Sequence, residues 1–271
     1  MFTKIIIGLI LSTIISILAY KKKSLSISGV LSAIFLGTIL YSIGHVSMYS
    51  LMIIFFILGS ILSKINSKIS YKLNLNSSKF LKESGCRNYI QVFANGVIPL
   101  IFSIMYMTNP SDLFIIASAA AFASATSDTF ASEIGSLSSE KPHYLLSRKN
   151  TDTGLSGGVT RLGFFASLLG TFIISFSFVL IIILERGFNF NFIFYGILVF
   201  LLGFLGSIID SILGEKFQVK YYSNVFSGKL TEKSMENDIP NKIASGHPLM
   251  DNNMVNFLSI LISASLTFIF V

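Results

Sequence analysis

The chain has 271 residues, 52% of them hydrophobic and only 12% charged, with a net charge of +7 and a mean hydropathy of +0.74. That balance excludes an ordinary soluble domain. The single cysteine, Cys86, excludes an internal disulfide and a cysteine-based metal motif.

Apolar stretches of about 17 to 25 residues predict membrane-spanning helices. In chain order they run over Phe2–Tyr20, Ser26–Tyr41, Val46–Leu62, Asn88–Met107, Asp112–Gly135, Thr160–Leu184, Asn191–Leu213 and Met254–Val271, the second and third being short. Most lack the polar face that a soluble helix needs. The expected fold is all-α, a polytopic membrane helical bundle of about eight transmembrane helices forming one transmembrane domain over 1–271. The first segment reads as a retained helix and not a signal peptide, because its basic flank, Lys21–Lys23, follows it.

Charge sets the expected orientation. The connections holding Lys21–Lys23, Lys64–Arg87, Glu140–Arg161 and Gly214–Asp251 carry 18 of the 20 Lys and Arg residues, leaving Lys4 and Arg186 opposite. By the positive-inside rule those connections are cytosolic and both termini non-cytosolic. The longer cytosolic loops cover about 64–87, 136–159 and 214–251. The sequon Asn76-Ser77-Ser78 falls on that side and is expected to stay unmodified. A basic face suits anionic lipid headgroups or a phosphorylated substrate, and no nucleic-acid module appears.

Polar residues punctuate the spans at one depth. At about 1.5 Å of rise per residue, Asp128 lies roughly 24 Å and Asp210 roughly 28 Å from the non-cytosolic entry of their helices. Gln91 and Asn95 fall about 5 and 10 Å below the cytosolic surface. Asn252 and Asn256 open the last span. A carboxylate costs about 2.5 to 3.5 kcal/mol at mid-membrane, and two in one layer repel unless a cation or proton intervenes. Asp128 and Glu133 are about 140° apart on an ideal helix and do not converge. The small-residue run Ala117–Ser124 invites close approach of a neighbour, and Pro99 is expected to kink the fourth span.

Carboxylates and amide oxygens suit Mg²⁺. Asp128 and Asp210 are the first candidates for its ligands, with Asp251 and Glu133 behind them. Before the sixth span a loop offers Thr151, Thr153, Gly154, Ser156, Gly157, Gly158 and Thr160, flanked by Arg148, Lys149 and Arg161. Its hydroxyls, glycine backbone and helix-start amides suit phosphate. The loop does not match a P-loop and taken by itself reads as an ordinary helix start. The intramembrane amides likewise read as interhelical hydrogen bonds. Carboxylates for a metal beside a loop for phosphate point to phosphoryl transfer. His45, His143 and His247 fall on both sides of the membrane and assemble no zinc set.

The segments GCRNYIQVFANG, SATSDTFASEIG, TDTGLSGGVTRLGFFASLLG, GSIIDSILG and PLMDNNMVNFLS resemble, in order, the blocks of the DUF92 integral membrane family. That family includes phytyl-phosphate kinase and transmembrane protein 19, and the wording is closest to the latter branch. The resemblance implies a multi-pass kinase that converts an isoprenoid (phytyl or prenyl) monophosphate to its diphosphate with a nucleoside triphosphate, CTP favoured over ATP. On the kinase reading the expected catalytic residues are Asp128, Asp210, Glu133 and Arg148. The same reading expects substrate or nucleotide binding at Arg87, Gln91, Asn95, Asn252 and Asn256, together with the Thr151–Arg161 loop. Two departures stand out: Phe130 and Tyr89 occupy positions where Trp is usual, and Gly214-Glu215-Lys216 replaces a common Gly-Ala-Thr.

Two rival classes share these features. Intramembrane carboxylates and a glycine-broken segment also describe a transporter or scramblase, and a purely structural protein could use the polar layer to lock its helices. The endoplasmic reticulum or another internal membrane is the expected location.

Overall fold

The structure, a computed structural model, describes residues 2–72, 86–226 and 228–271. Among them eight apolar helices follow the predicted spans: α1 (Phe2–Lys21), α2 (Ile27–Ile43), α3 (Val46–Lys72), α4 (Tyr89–Thr108), α5 (Asp112–Gly135), α6 (Arg161–Arg186), α7 (Phe190–Lys216) and α8 (Asn252–Ser265), the last extended by a short turn, α9 (Thr267–Phe270). Seven are long and apolar enough to cross a membrane, counting α8 with α9 as one, and α2 is shorter at 17 residues.

Helix α5 is the axis of the bundle. Every residue from Phe114 to Ser127 is buried, and α3, α4, α6, α7 and α8 pack around it. Its alanines and serines make this possible. Lipid tails are as apolar as leucine, so membrane helices associate through close packing and hydrogen bonds, both of which small residues permit. Gly203 of α7 meets Ala123, Gly206 meets Ser124, and Gly170 of α6 meets the backbone of Thr126. Hydroxyls stitch the same contacts: Ser127 donates to the Ser167 carbonyl at 3.0 Å, Thr171 to Phe200 at 3.1 Å and Ser263 to Leu202 at 2.7 Å.

The connections gather into a basic end and an opposite end. At the basic end Arg87 pairs with the turn between α1 and α2, its N–H donating to the Ser24 carbonyl and its own carbonyl accepting from Ser26, each at 3.0 Å. The α5–α6 connection forms a hairpin, β1 (His143–Tyr144) with β2 (Gly158–Val159). The α7–α8 connection holds β3 (Lys220–Tyr222), β4 (Leu230–Thr231), β5 (Met235–Glu236), β6 (Ile239–Pro240) and β7 (Lys242–Ser245). These form a three-stranded sheet ordered β4-β3-β7 and a β5–β6 hairpin. At the opposite end Arg186 closing α6 binds Asp112 opening α5, at 2.7 Å.

Two helices run on past the apolar stretches that predict them. The loop placed at about 64–87 begins later, because α3 runs on to Lys72; Ser63, Asn66 and Ser70 continue a polar helix face that Glu133 satisfies. The loop placed at 214 likewise begins after Lys216. The sequon Asn76-Ser77-Ser78 lies outside the described residues. Helix α4 passes through Pro99 as one element; the proline has no N–H for the Asn95 carbonyl.

Candidate functional site

Helices α5 and α7 both run from the opposite end toward the basic end. One turn beyond the Ser124–Gly206 contact each carries a carboxylate, Asp128 on α5 and Asp210 on α7, so residues four apart on each helix bring both acids to one level. Asp210 is buried at 5% exposure, and Asp128 is half-buried. Helix α8 closes on Asp210 from the side. Ser259 donates to its Oδ2 at 3.0 Å. With the Asn256 amide turned so that its nitrogen faces the acid, it donates to Oδ2 at 3.1 Å and to the Asn252 carbonyl at 3.0 Å.

The described residues contain no group of three His, Cys, Asp or Glu side chains able to hold a metal. A closed carboxylate cage is therefore not built. Two carboxylates at one level, with Asn256 and Ser259 holding one of them by hydrogen bonds, suit in kind the needs of Mg²⁺, which takes one or two protein carboxylates and completes its shell with water and substrate phosphates.

The other predicted acids turn elsewhere. Asp251 caps α8, its Oδ1 accepting from the Met254 N–H at 2.8 Å and its Oδ2 from Asn253 at 3.2 Å. Glu133 faces α3: Ser63 donates to its Oε1, and Asn66 to its Oε2 at 2.7 Å. It does not join Asp128, as the angular spacing predicted.

The glycine loop is seated on the end of α7. Gly157, at φ +83°, lies against the backbone of Gly214 and Glu215, where a side chain would collide. Gly214 is one turn beyond Asp210, so the loop stands next to the carboxylate level. Its amides already hold carboxylates. The Ser156 N–H donates to Glu232 Oε1 at 2.6 Å. Glu215 accepts from the N–H groups of Leu146 and Ser147 at 2.8 and 2.9 Å, which is the use the structure makes of this departure from the family pattern.

Thr160 is the N-cap of α6, accepting from the Gly163 N–H at 3.0 Å. Thr151 donates to the Tyr144 hydroxyl at 2.9 Å. Thr153 is half-buried, Gly154 is exposed at φ +92°, and Gly158 pairs within β2. Arg148 is exposed, at φ +56°, and the exposed Arg161 lies 4.0 Å from Glu140, a pair of little energetic weight.

One cation here escaped sequence reasoning. Lys220 is 3% exposed, donates to the Tyr144 hydroxyl at 3.1 Å and sits over that ring at 4.6 Å. Tyr144 thus joins a buried ammonium to Thr151 of the loop. Nothing in the local sequence separates this lysine from its basic neighbours.

Gln91, Asn95 and Arg87 line a cleft whose wall includes neither Asp128 nor Asp210. That cleft is partly open, lies among α1 to α4 and is otherwise apolar, with Phe122 of α5 in its lining. Gln91 also completes a capping box with Asn88 at the start of α4. Burial pulls the Arg87 guanidinium below its ordinary value, and the charge of Glu133 opposes that.

Fold and site define a polytopic integral membrane protein with a polar layer at its basic end. The chain belongs to the family described as integral membrane protein DUF92, whose model matches residues 10–264. It is 29% identical over 285 residues to Protein PGR of Arabidopsis thaliana, covering 97% of this chain and 95% of that protein. It is 28% identical over 222 residues to Uncharacterized membrane protein MJ0933 of Methanocaldococcus jannaschii, covering 80% and 84%. No solved structure matches.

Proposed function

We propose that this protein is a lipid-phosphate kinase of the membrane interface, transferring a phosphoryl group from a nucleoside triphosphate, CTP in preference to ATP, to an isoprenoid monophosphate. The observation that carries the reading is the succession along α7: Asp210 stands level with Asp128, and one turn later Gly214 seats the Gly157 loop. Acids for a cation and a loop for phosphate then adjoin at the end where Lys and Arg concentrate, which the positive-inside rule assigns to the cytosol.

Mg²⁺ held by Asp128 and Asp210 would neutralise phosphate charge. The loop amides around Ser156 and Gly157, with Lys220 beneath, would receive the nucleotide phosphates. Asn256 and Ser259 orient Asp210 through their hydrogen bonds. An oxygen of the acceptor phosphate attacks the γ-phosphorus, the bond to the β–γ bridging oxygen breaks, and the nucleoside diphosphate leaves. The acceptor is already anionic, so no strong general base is required.

The test is phosphate transfer by the purified protein in detergent, offered phytyl, farnesyl or geranylgeranyl monophosphate with Mg²⁺ and CTP or ATP. Diphosphate product that vanishes in folded Asp128→Asn and Asp210→Asn variants is expected. Absence of product and of nucleotide binding with every pair would overturn the reading and favour a coupling-ion site.

A further inference from the structure

Two polar side chains beside the glycine loop are buried without the partners their chemistry asks for. Lys220 is 3% exposed and Gln218 2%. An ammonium has three N–H donors, yet Lys220 makes one hydrogen bond, to the Tyr144 hydroxyl at 3.1 Å, and rests on the face of that ring. Among the described residues no carboxylate lies within ion-pair distance of it. Gln218 Oε1 is enclosed and accepts no hydrogen bond. A buried ammonium without an anion and a buried acceptor without a donor each destabilise a fold.

The backbone nevertheless fixes both in place. Helix α7 ends at Lys216, just past the Gly214 backbone on which Gly157 rests, and the chain then runs extended into β3. The Val219 N–H donates to the Met250 carbonyl at 2.9 Å, and the His247 N–H to the Phe217 carbonyl at 3.0 Å. Gly246, at φ +80°, lies so close to the Gln218 carbonyl that a side chain there would collide. Side chains alternate along an extended segment, so Gln218 and Lys220 share one side and Val219 takes the other. Lys220 shows which side this is. It meets Tyr144 of the β1–β2 hairpin, whose hydroxyl also accepts from Thr151 of the loop at 2.9 Å. The unpartnered oxygen thus belongs to the same face as the ammonium, next to the loop.

A ligand that completes this face brings an anionic group for Lys220 and an N–H or O–H donor for Gln218. Magnesium tripolyphosphate supplies only the first. A nucleotide carries both, its donor being an amino group on the base or a hydroxyl of the ribose. We infer that Gln218 selects the nucleotide, its Oε1 accepting a hydrogen bond from the nucleoside while Lys220 leaves the Tyr144 ring for a phosphate oxygen. The inference rests on the kinase reading for the presence of a nucleotide here, and adds to it the residue that recognises the nucleoside. A site built around such an acceptor rejects analogues that lack the donor, because the buried oxygen is then left unpaired.

Titration calorimetry on the purified protein in detergent, with Mg²⁺ and no acceptor lipid, tests this with CTP, UTP, 2′-deoxy-CTP, 3′-deoxy-CTP and tripolyphosphate. CTP is expected to bind at least about tenfold more tightly than tripolyphosphate. UTP has a carbonyl in place of the base amino group, and each deoxy form lacks one hydroxyl. At least one of these three should bind about tenfold more weakly than CTP, which names the donor. Gln218→Met, close in shape and without the amide, should bind CTP no better than that analogue and should unfold no earlier than the parent. Lys220→Met should weaken CTP and tripolyphosphate alike while keeping the preference among nucleotides. CTP binding no tighter than tripolyphosphate, equal binding of CTP and all three analogues, or a preference that survives in Gln218→Met would overturn the assignment. The first two outcomes need only the parent protein, so a variant that does not fold leaves the test intact. Selective nucleotide binding without transfer to any isoprenoid phosphate would sink the kinase reading alone. Transfer with an unchanged preference in Gln218→Met would sink this inference alone.

Discussion

Gly206 of α7 packs against Ser124 of α5 so closely that no β-carbon fits between them. This contact sets the height at which the next turn of each helix presents its acid. Gly206→Ala should therefore force the two helices apart and cost about 1 to 3 kcal/mol of stability, the usual penalty for overpacking. The measurement is thermal unfolding in detergent. A variant as stable as the parent would show that α5 and α7 are not locked at this level.

The pair of acids makes a sharper prediction. Asp210 is buried, accepts from the Ser259 hydroxyl and has Asp128 at its level, so removing one charge relieves repulsion between the two acids. Asp210→Asn should unfold no earlier than the parent without Mg²⁺, and should lose the stabilisation that millimolar Mg²⁺ gives the parent. Ser259→Ala removes only an orienting hydrogen bond and should cost about 0.6 to 2 kcal/mol. Equal Mg²⁺ shifts in parent and Asp210→Asn would remove the acid from any cation site.

Apolar runs and the sidedness of Lys and Arg made the spans legible, and the run Ala117–Ser124 announced the helix that others surround. What stayed hidden depended on partners distant in sequence. The last turns of α3 carry Lys64 and Lys68 with Ser63 and Asn66, which lower the hydropathy; they remain helical because Glu133, on another helix, accepts from the polar face. Lys220 became distinct only when Tyr144 folded over it. Gln91 and Asn95 matched the acids in depth, but depth does not fix the direction of a side chain, and they line the cleft of Arg87, whose wall includes neither Asp128 nor Asp210.

The loop amides suggest how the protein behaves before nucleotide arrives. Glu232 occupies the Ser156 N–H with a carboxylate, the kind of group a phosphate would replace. Under the kinase reading Glu232→Gln should tighten nucleotide binding by up to about tenfold, equivalent to about 1.4 kcal/mol. Titration calorimetry with a non-hydrolysable CTP analogue reads this directly. Weaker binding in the variant would mean that Glu232 builds the loop and does not compete for it.

At the opposite end His45 links three elements and should make stability depend on pH. The Ser47 N–H lies 3.3 Å from Nδ1, and Nε2 lies 3.0 Å from Glu185 Oε2. Arg186, itself bound to Asp112, brings Nη2 within 3.2 Å of the same Nε2. Burial lowers the imidazole from its ordinary value of 6.5; Glu185 and Asp112 pull it upward, and Arg186 pushes it down. A base depressed on folding binds its proton more readily unfolded, so its contribution is complete above about 6.5 and is lost as the pH falls toward the folded value. The unfolding temperature should therefore decline between pH 7.5 and 5.5, and less steeply in His45→Gln, which cannot take up the proton. Parallel profiles for the two proteins would show that the decline belongs to other groups and that His45 binds its proton equally well in the folded and unfolded chain.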